Sequence, residues 1–179
     1  MTTTVVVPDG TPILGNVSVQ WVATIADTAA PKLATEISAA APASWNVTGS
    51  IIAESWEPGQ DVSKDSAPRR LSERNAYERF TTTTQQLADL QYVITPQGAA
   101  ASVGKKVFET LTEGLAGYFV ERLGLDARTA WAVGQFVNVI PVTLGPRLIT
   151  GGTEEANDFM VLQPVGIRGA RTQNVAIVT

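Results

Sequence analysis

Apolar and polar positions alternate with a period of two through much of this chain. Val17, Val19, Trp21, Ala23 and Ile25 interleave with Ser18, Gln20, Val22 and Thr24, the pattern of a half-buried strand. Residues 27–31 hold the turn-forming Asp27 and Pro31 and end it. Further strand-like stretches are 47–54, the threonine-rich 77–84, 90–95 before Pro96, 118–123, 134–143, 159–165 and 175–178. Segment 134–143 is the most apolar, on both faces, and with 159–165 it is expected to supply sheet and core. Only around 103–112 does the spacing turn helical. There Val103, Val107, Phe108 and Leu111 share one face. Ser102 stands at the N-cap position and Gly114 or Gly117 is expected to end the helix.

Between the strands, residues 54–68 form a polar stretch with two prolines, a glycine and mixed charges, too long for a tight turn. It is expected as a long loop, in which Trp56 is out of place. No repeat, heptad or linker divides the chain. One domain over 1–179 is expected, mainly β: a two-sheet β-sandwich or partly open barrel with one flanking α-helix, an N-terminal arm 1–15 and the loop 54–68. Sheets of this kind have open edges, and pairing with a neighbouring copy is one way to close them.

Composition narrows the chemistry. The 179 residues include no cysteine and no histidine. Disulfides, thiolate catalysis and every histidine-based triad are therefore excluded within the chain. The formal charge is −4, which argues against tight binding of DNA or RNA. Charged residues make up 17%, below the roughly 25–35% usual for a soluble surface, so much of the exterior is expected to be covered by partners. No apolar run reaches the roughly 18 residues of a membrane helix. The start, Met1 to Pro8, lacks a basic region and an apolar stretch, and no secretory signal is expected.

The remaining motifs are weak. Gly98 to Lys106 imitates a phosphate loop, but five residues separate its glycines and Lys106 stands where a Ser or Thr would hold Mg²⁺. A turn entering a helix is the simpler reading. Ser102-Val-Gly-Lys105 matches a bare Ser-x-x-Lys pattern without its companion motifs. The carboxylate pairs Glu54/Glu57 and Glu154/Glu155 fall in polar loops with no apolar pocket to separate their pKa values. Asn16-Val-Ser18 and Asn46-Val-Thr48 are chance glycosylation matches. The densest basic cluster, Arg69, Arg70, Arg74 and Arg79, interleaves with Glu73 and Glu78, which suits a salt-bridged contact between subunits better than a phosphate site. No catalytic residue, metal site or cofactor is expected.

The order of the blocks resembles the major tail protein, or tail tube protein, of long flexible-tailed bacteriophages, particularly those of actinobacteria. The first block is Val19-Gln20-Trp21-Val22 with Ile25-Ala26-Asp27, then Ala30-Pro31 and Glu36-Ile37. The second runs from Leu111-Thr112-Glu113-Gly114 through Gly117-Tyr118 and Val120 to Arg122, then Gly134 to Gly145 with its Val139-Ile140-Pro141-Val142 core. Tyr92 to Pro96 matches a strand end before the helix. The likeness spans roughly 17–178. Residues 39–45 and 54–68 depart from the family pattern, and the first 15 have no counterpart.

The resemblance implies a sandwich with a flanking helix and six copies closing into a ring. Rings would stack into a hollow tube around a tape-measure protein, with tail terminator and distal tail proteins at the ends. DNA would then pass through without tight binding; six subunits carry six times the chain's −4, and a channel without net positive charge lets phosphates slide. The expected location is the virion tail, assembled in the host bacterial cytoplasm, with no membrane involved. Ring-to-ring contacts are expected from the termini and from 54–68, with Trp56, Glu57, Asp61, Lys64, Arg69 and Arg70 as interface residues. Aromatic anchors dominate such contacts, although Trp56 could equally pack on its own domain. The helix is expected on the outer side, against a neighbour. Competing readings are another virion component (a tail terminator or capsid decoration protein), or a β-sandwich hydrolase or carbohydrate-binding module. The latter pair lacks its histidine, its carboxylate cleft and an aromatic row.

Overall fold

The computed structural model describes residues 10–40, 42–66, 78–151 and 158–179. The largest sheet is antiparallel. Its strands are β1 (Val17–Val22), β2 (Ser44–Asn46), β6 (Ala116–Leu123), β7 (Phe136–Leu144), β10 (Val165–Ile167) and β11 (Thr172–Ala176). Their order is β2–β1–β6–β7, and β10 and β11 divide the far side of β7 between them. A second sheet is ordered β5 (Leu90–Val93), β9 (Met160–Gln163), β8 (Leu148–Thr150). A third is the two-stranded ribbon of β3 (Pro58–Ser66) and β4 (Glu78–Leu87). The helix α1 covers Val103–Thr110. The described residues are thus mainly β with one flanking α-helix, as the periodicity implied.

Period-two alternation sends neighbouring residues of the large sheet into two cores. Val19, Trp21, Phe119, Ile140 and Val142 pack against Leu90, Tyr92 and Val161 of the second sheet, with Val107 and Leu111 closing the side. That layer is the sandwich. On the opposite face, Val22, Val120, Val137 and Val139 are covered by Ile25, Ile37 and Ile177. A sheet buried on both faces explains why β7 is apolar except at Asn138 and Thr143. Trp21 is fully buried and meets Phe119 edge-on at 5.2 Å. Its ring lies over Gly117 of β6, where a Cβ would stand 2.5 Å from Trp21 Cη2.

Several expectations shift. Residues 54–66 are not a loop: a short 3₁₀ turn at Ala53–Ser55 leads into β3, and residues 67 and 68 of the expected loop lie outside the described residues. Both faces of that ribbon meet solvent, so it carries no apolar alternation to read. Pro58 opens the strand, where a missing N–H does least harm. The strand expected at 47–54 sits earlier, at β2. Asn46 Oδ1 accepts the Thr48 N–H at 3.0 Å and turns the chain. The Thr48 hydroxyl then accepts the Val19 N–H at 2.7 Å and stands in for a ladder bond. Segment 159–165 breaks at Pro164, which has no N–H to donate. There the chain crosses from the second sheet to the first, and the Pro164 carbonyl accepts the Gly145 N–H at 2.8 Å.

The helix ends at Thr110, before either glycine. Ser102 has the extended backbone of an N-cap, but its Oγ lies 3.1 Å from Thr95 Oγ1 and bonds no helix N–H. Gly104 explains the glycine of the false phosphate loop, because a Cβ there would come within 2.8 Å of the Thr95 backbone N. Strand β8 and the π-helical turn at Leu33–Ile37 carry no periodic signal and were not expected. Glu36 organises that turn: its two carboxylate oxygens accept the Ala26 N–H at 2.9 Å and the Lys32 N–H at 2.8 Å.

Candidate subunit interface

Strands β3 and β4 pair from Pro58↔Leu87 to Ser66↔Glu78, with a register shift between Ser63 and Lys64. Most of both strands is exposed on both faces. The outer end carries the ion pair Lys64–Glu78 at 3.3 Å, and Lys64 Nζ lies 5.6 Å from the Phe80 ring. Phe80 itself is 74% exposed. Thr81 to Gln86 present a run of uncharged hydroxyl and amide groups along β4. Near the body, Thr83 to Gln85 stand beside Ile167, Gly169 and Ala170 across an open cleft, with no strand ladder between them.

The ribbon is held at its root. Glu121 of β6 is in phase with Phe119, points into the sandwich side of the sheet and is 3% exposed. A buried carboxylate needs donors, and it has three. Trp56 Nε1 donates to Oε1 at 2.7 Å, while Asn138 Nδ2 and Arg171 Nη2 each donate to Oε2 at 2.8 Å. The Arg171 backbone N–H donates to Gln85 Oε1 at 2.7 Å. Trp56 also meets Phe119 edge-on at 5.4 Å. Beside it, Ile13, Leu14, Val17, Val19, Ile51 and Trp56 line an apolar groove of about 210 Å³.

A family model described as phage tail tube protein matches residues 6–179. The chain belongs to the phage tail tube protein family. No curated protein matches it. It is accordingly a structural component of a phage tail, one that assembles with other tail proteins into a tube. No helix among the described residues is long and apolar enough to cross a membrane.

Open strand edges and exposed apolar groups are the surfaces on which subunits can pair. Asp61 and Lys64 lie on β3 and Glu57 is exposed at its root. Trp56 is turned inward, its N–H spent on Glu121. Arg69 and Arg70, like Glu154 and Glu155, lie outside the described residues. Three further features had no clear sequence signal. Leu148, Ile149 and Phe159 are exposed along the β8 edge, Leu123 and Phe136 at one end of the large sheet, and Ile13 and Leu14 before β1. Glu121 was legible in principle: it is a glutamate at an inward position of an apolar strand, and such a residue is rare unless paired.

Arg122, the next residue, is fully buried on the other face. Its guanidinium donates to the carbonyls of Asp126, Thr129 and Ala130 and to Gln135 Oε1, at 2.8–3.2 Å. It also stacks 4.7 Å from the Trp131 ring. Burial lowers its pKa from the usual arginine range, and the charge of Asp126 partly opposes this. This cation shapes the β6–β7 connection from within.

Proposed function

We propose that six copies of this subunit close into a ring and that rings stack into the hollow tube through which the phage genome leaves the head. The observation that carries this reading is the β3–β4 ribbon, nine and ten residues long and exposed on both faces. A two-stranded ribbon is marginal by itself in water, and long open edges invite pairing. A neighbouring subunit supplies the missing surface. Head-to-tail contacts that close give a ring, and contacts along the axis that do not close give an open filament.

In this reading the ribbon, with Glu57, Asp61 and Lys64, together with Arg69, Arg70 and the N-terminal arm 1–15, makes the ring-to-ring contact. Trp56 serves that contact from the ribbon's root. Helix α1 lies on the outer side against a neighbour. The tube forms in the host cytoplasm around a tape-measure protein, and terminator and distal tail proteins close its ends. On the described ribbon, Lys64 and Arg79 are opposed by Asp61, Asp65 and Glu78, so it offers DNA no net positive surface and supports passage without tight binding.

Negative-stain microscopy of the purified protein tests the proposal. Hollow tubes of stacked rings are expected. Isolated rings or trimers at every concentration would instead point to a terminator or a decoration protein. Trp56→Ala is expected to shorten or abolish tubes while leaving a folded subunit; tubes of unchanged length would remove Trp56 from the contact.

A further inference from the structure

We propose that Glu121 is a clamp that sets the angle at which the β3–β4 ribbon leaves the body. The ribbon has no ladder to either sheet among the described residues. Its direction therefore depends on the few bonds at its root. One carboxylate reaches both strands there. Toward β3 it receives the Trp56 N–H at 2.7 Å, two residues before Pro58. Toward β4 it receives Arg171 Nη2 at 2.8 Å, and the backbone N–H of the same Arg171 is bonded to Gln85 at 2.7 Å. Asn138 of β7 holds the remaining approach to Oε2 at 2.8 Å, and its own Oδ1 accepts the Asn174 N–H at 3.0 Å. Three separate segments thus converge on a group that is 3% exposed, and β4 is tied to it through Arg171.

The arrangement has the features of a positioning device. Charge-assisted bonds are shorter, stronger and more directional than neutral ones. A buried, fully partnered carboxylate holds its donors because any departure leaves it unsatisfied. Trp56 and Arg171 hold the two oxygens of one carboxylate, so any movement of that side chain displaces the anchors of both strands together. A purely apolar root would bury comparable surface but permit a range of angles, because apolar packing is non-directional. The orientation claim stands on this geometry alone. Its consequence for ring stacking rests on the tube reading.

The experiment is a distance measurement between spin labels. The chain has no cysteine, so Ser63→Cys on the ribbon and Glu109→Cys on α1, both exposed, can be labelled without removing native thiols. Labelled chains are diluted into unlabelled protein, so that only distances within one subunit are read. A single narrow distribution is expected for the parent. Glu121→Gln keeps the shape but removes two-sided acceptance and the charge that Arg171 meets; loss of the narrow peak is expected while circular dichroism stays native. Trp56→Phe keeps a ring against Phe119 but loses the N–H together with part of the indole, and it should broaden the peak less. If Glu121→Gln does not fold, Trp56→Phe decides. An unchanged narrow peak in the folded variants overturns the clamp, whatever their stability. Microscopy of the same samples separates the two claims. Broadening with normal tubes keeps the clamp and refutes its part in stacking, while a parent that forms no tubes refutes the tube reading and leaves the distances to judge the clamp.

Discussion

Gly117→Ala tests whether the inner face of the large sheet is packed as tightly as the structure implies. A Cβ at this position would stand 2.5 Å from Trp21 Cη2 and 3.0 Å from the Val22 carbonyl oxygen. Carbon atoms in ordinary contact lie about 3.5–4.0 Å apart, so the overlap with the ring is about 1 Å. Trp21 is fully buried and seated edge-on against Phe119, so the ring has nowhere to swing. The backbone oxygen of Val22 belongs to β1, paired residue by residue with β6, and moving it strains that ladder. Overpacking of this kind costs about 1–3 kcal/mol. Removing a glycine from the unfolded chain returns about 0.4–1 kcal/mol, for a net loss of about 1–2 kcal/mol. At roughly 2–4 °C per kcal/mol for a domain of this size, Tm should fall by about 2–8 °C.

Urea and thermal unfolding of Gly117→Ala, Trp21→Phe and the double variant provide the assay. Phenylalanine lacks the outer ring that meets the new methyl. The double variant should therefore be more stable than the sum of the two single losses, by about 1 kcal/mol. A Gly117→Ala protein as stable as the parent, or a strictly additive double variant, would refute the packing argument.

Four further outcomes are expected. Gly104→Ala should destabilise despite alanine's better helix propensity, worth about 1 kcal/mol, because the new Cβ would sit 2.8 Å from the Thr95 backbone N; urea midpoints check the sign. Burial pushes the Tyr92 hydroxyl up to about 12, with the Arg147 guanidinium acting in the opposite direction. The unfolded chain then loses this proton near pH 10 while the folded chain keeps it. Stability should be constant below pH 10 and fall by at most about 2 kcal/mol toward pH 12, a slope that Tyr92→Phe should remove. Arg122→Met strips donors from three carbonyls and Gln135 and should cost about 2–4 kcal/mol, with faster amide exchange in residues 124–135. Trypsin should cut after Lys64 and Arg79, both exposed on the ribbon, in dispersed subunits and much more slowly in assembled tubes.

The parts of the fold that sequence made legible are those with one wet face or none. β1 showed as alternation and β7 as a nearly continuous apolar run because the large sheet separates two cores. The ribbon was partly invisible for the converse reason. With both faces of β3 in solvent, nothing selects apolar residues at alternate positions, and Asp61, Ser63 and Asp65 read as loop. Only the threonines of β4 betrayed a strand, through their β-propensity. Position 164 shows another limit. Pro164 marked a break, but not that the chain changes sheets there. The interface residues were proposed from polarity and one odd tryptophan, whereas the Glu121 network depends on Trp56, Gln85, Asn138 and Arg171 meeting in space. No spacing along the chain encodes that.

Charge placement links these observations to what a tube must do. The charged fraction is low, yet three charged side chains lie in the interior, Glu36, Glu121 and Arg122, the last two adjacent on one strand and facing opposite cores. Replacing buried ionic groups by apolar ones is often neutral or stabilising, so stability alone is a poor reason to keep them. Directionality is a better one: Glu121 converges on the ribbon root and Arg122 on the β6–β7 connection, two segments with little apolar packing of their own. A subunit that must meet identical neighbours repeatedly gains from fixed projections, since a small angular error at each contact accumulates along a tube. If that is why the pair is present, apolar replacements at Glu121 and Arg171 together, such as Glu121→Leu with Arg171→Met, should give a folded subunit, less stable only by the orphaned Trp56 and Asn138 donors, that builds short or irregular tubes. Straight, full-length tubes from a folded double variant would show that the buried charges serve the fold alone.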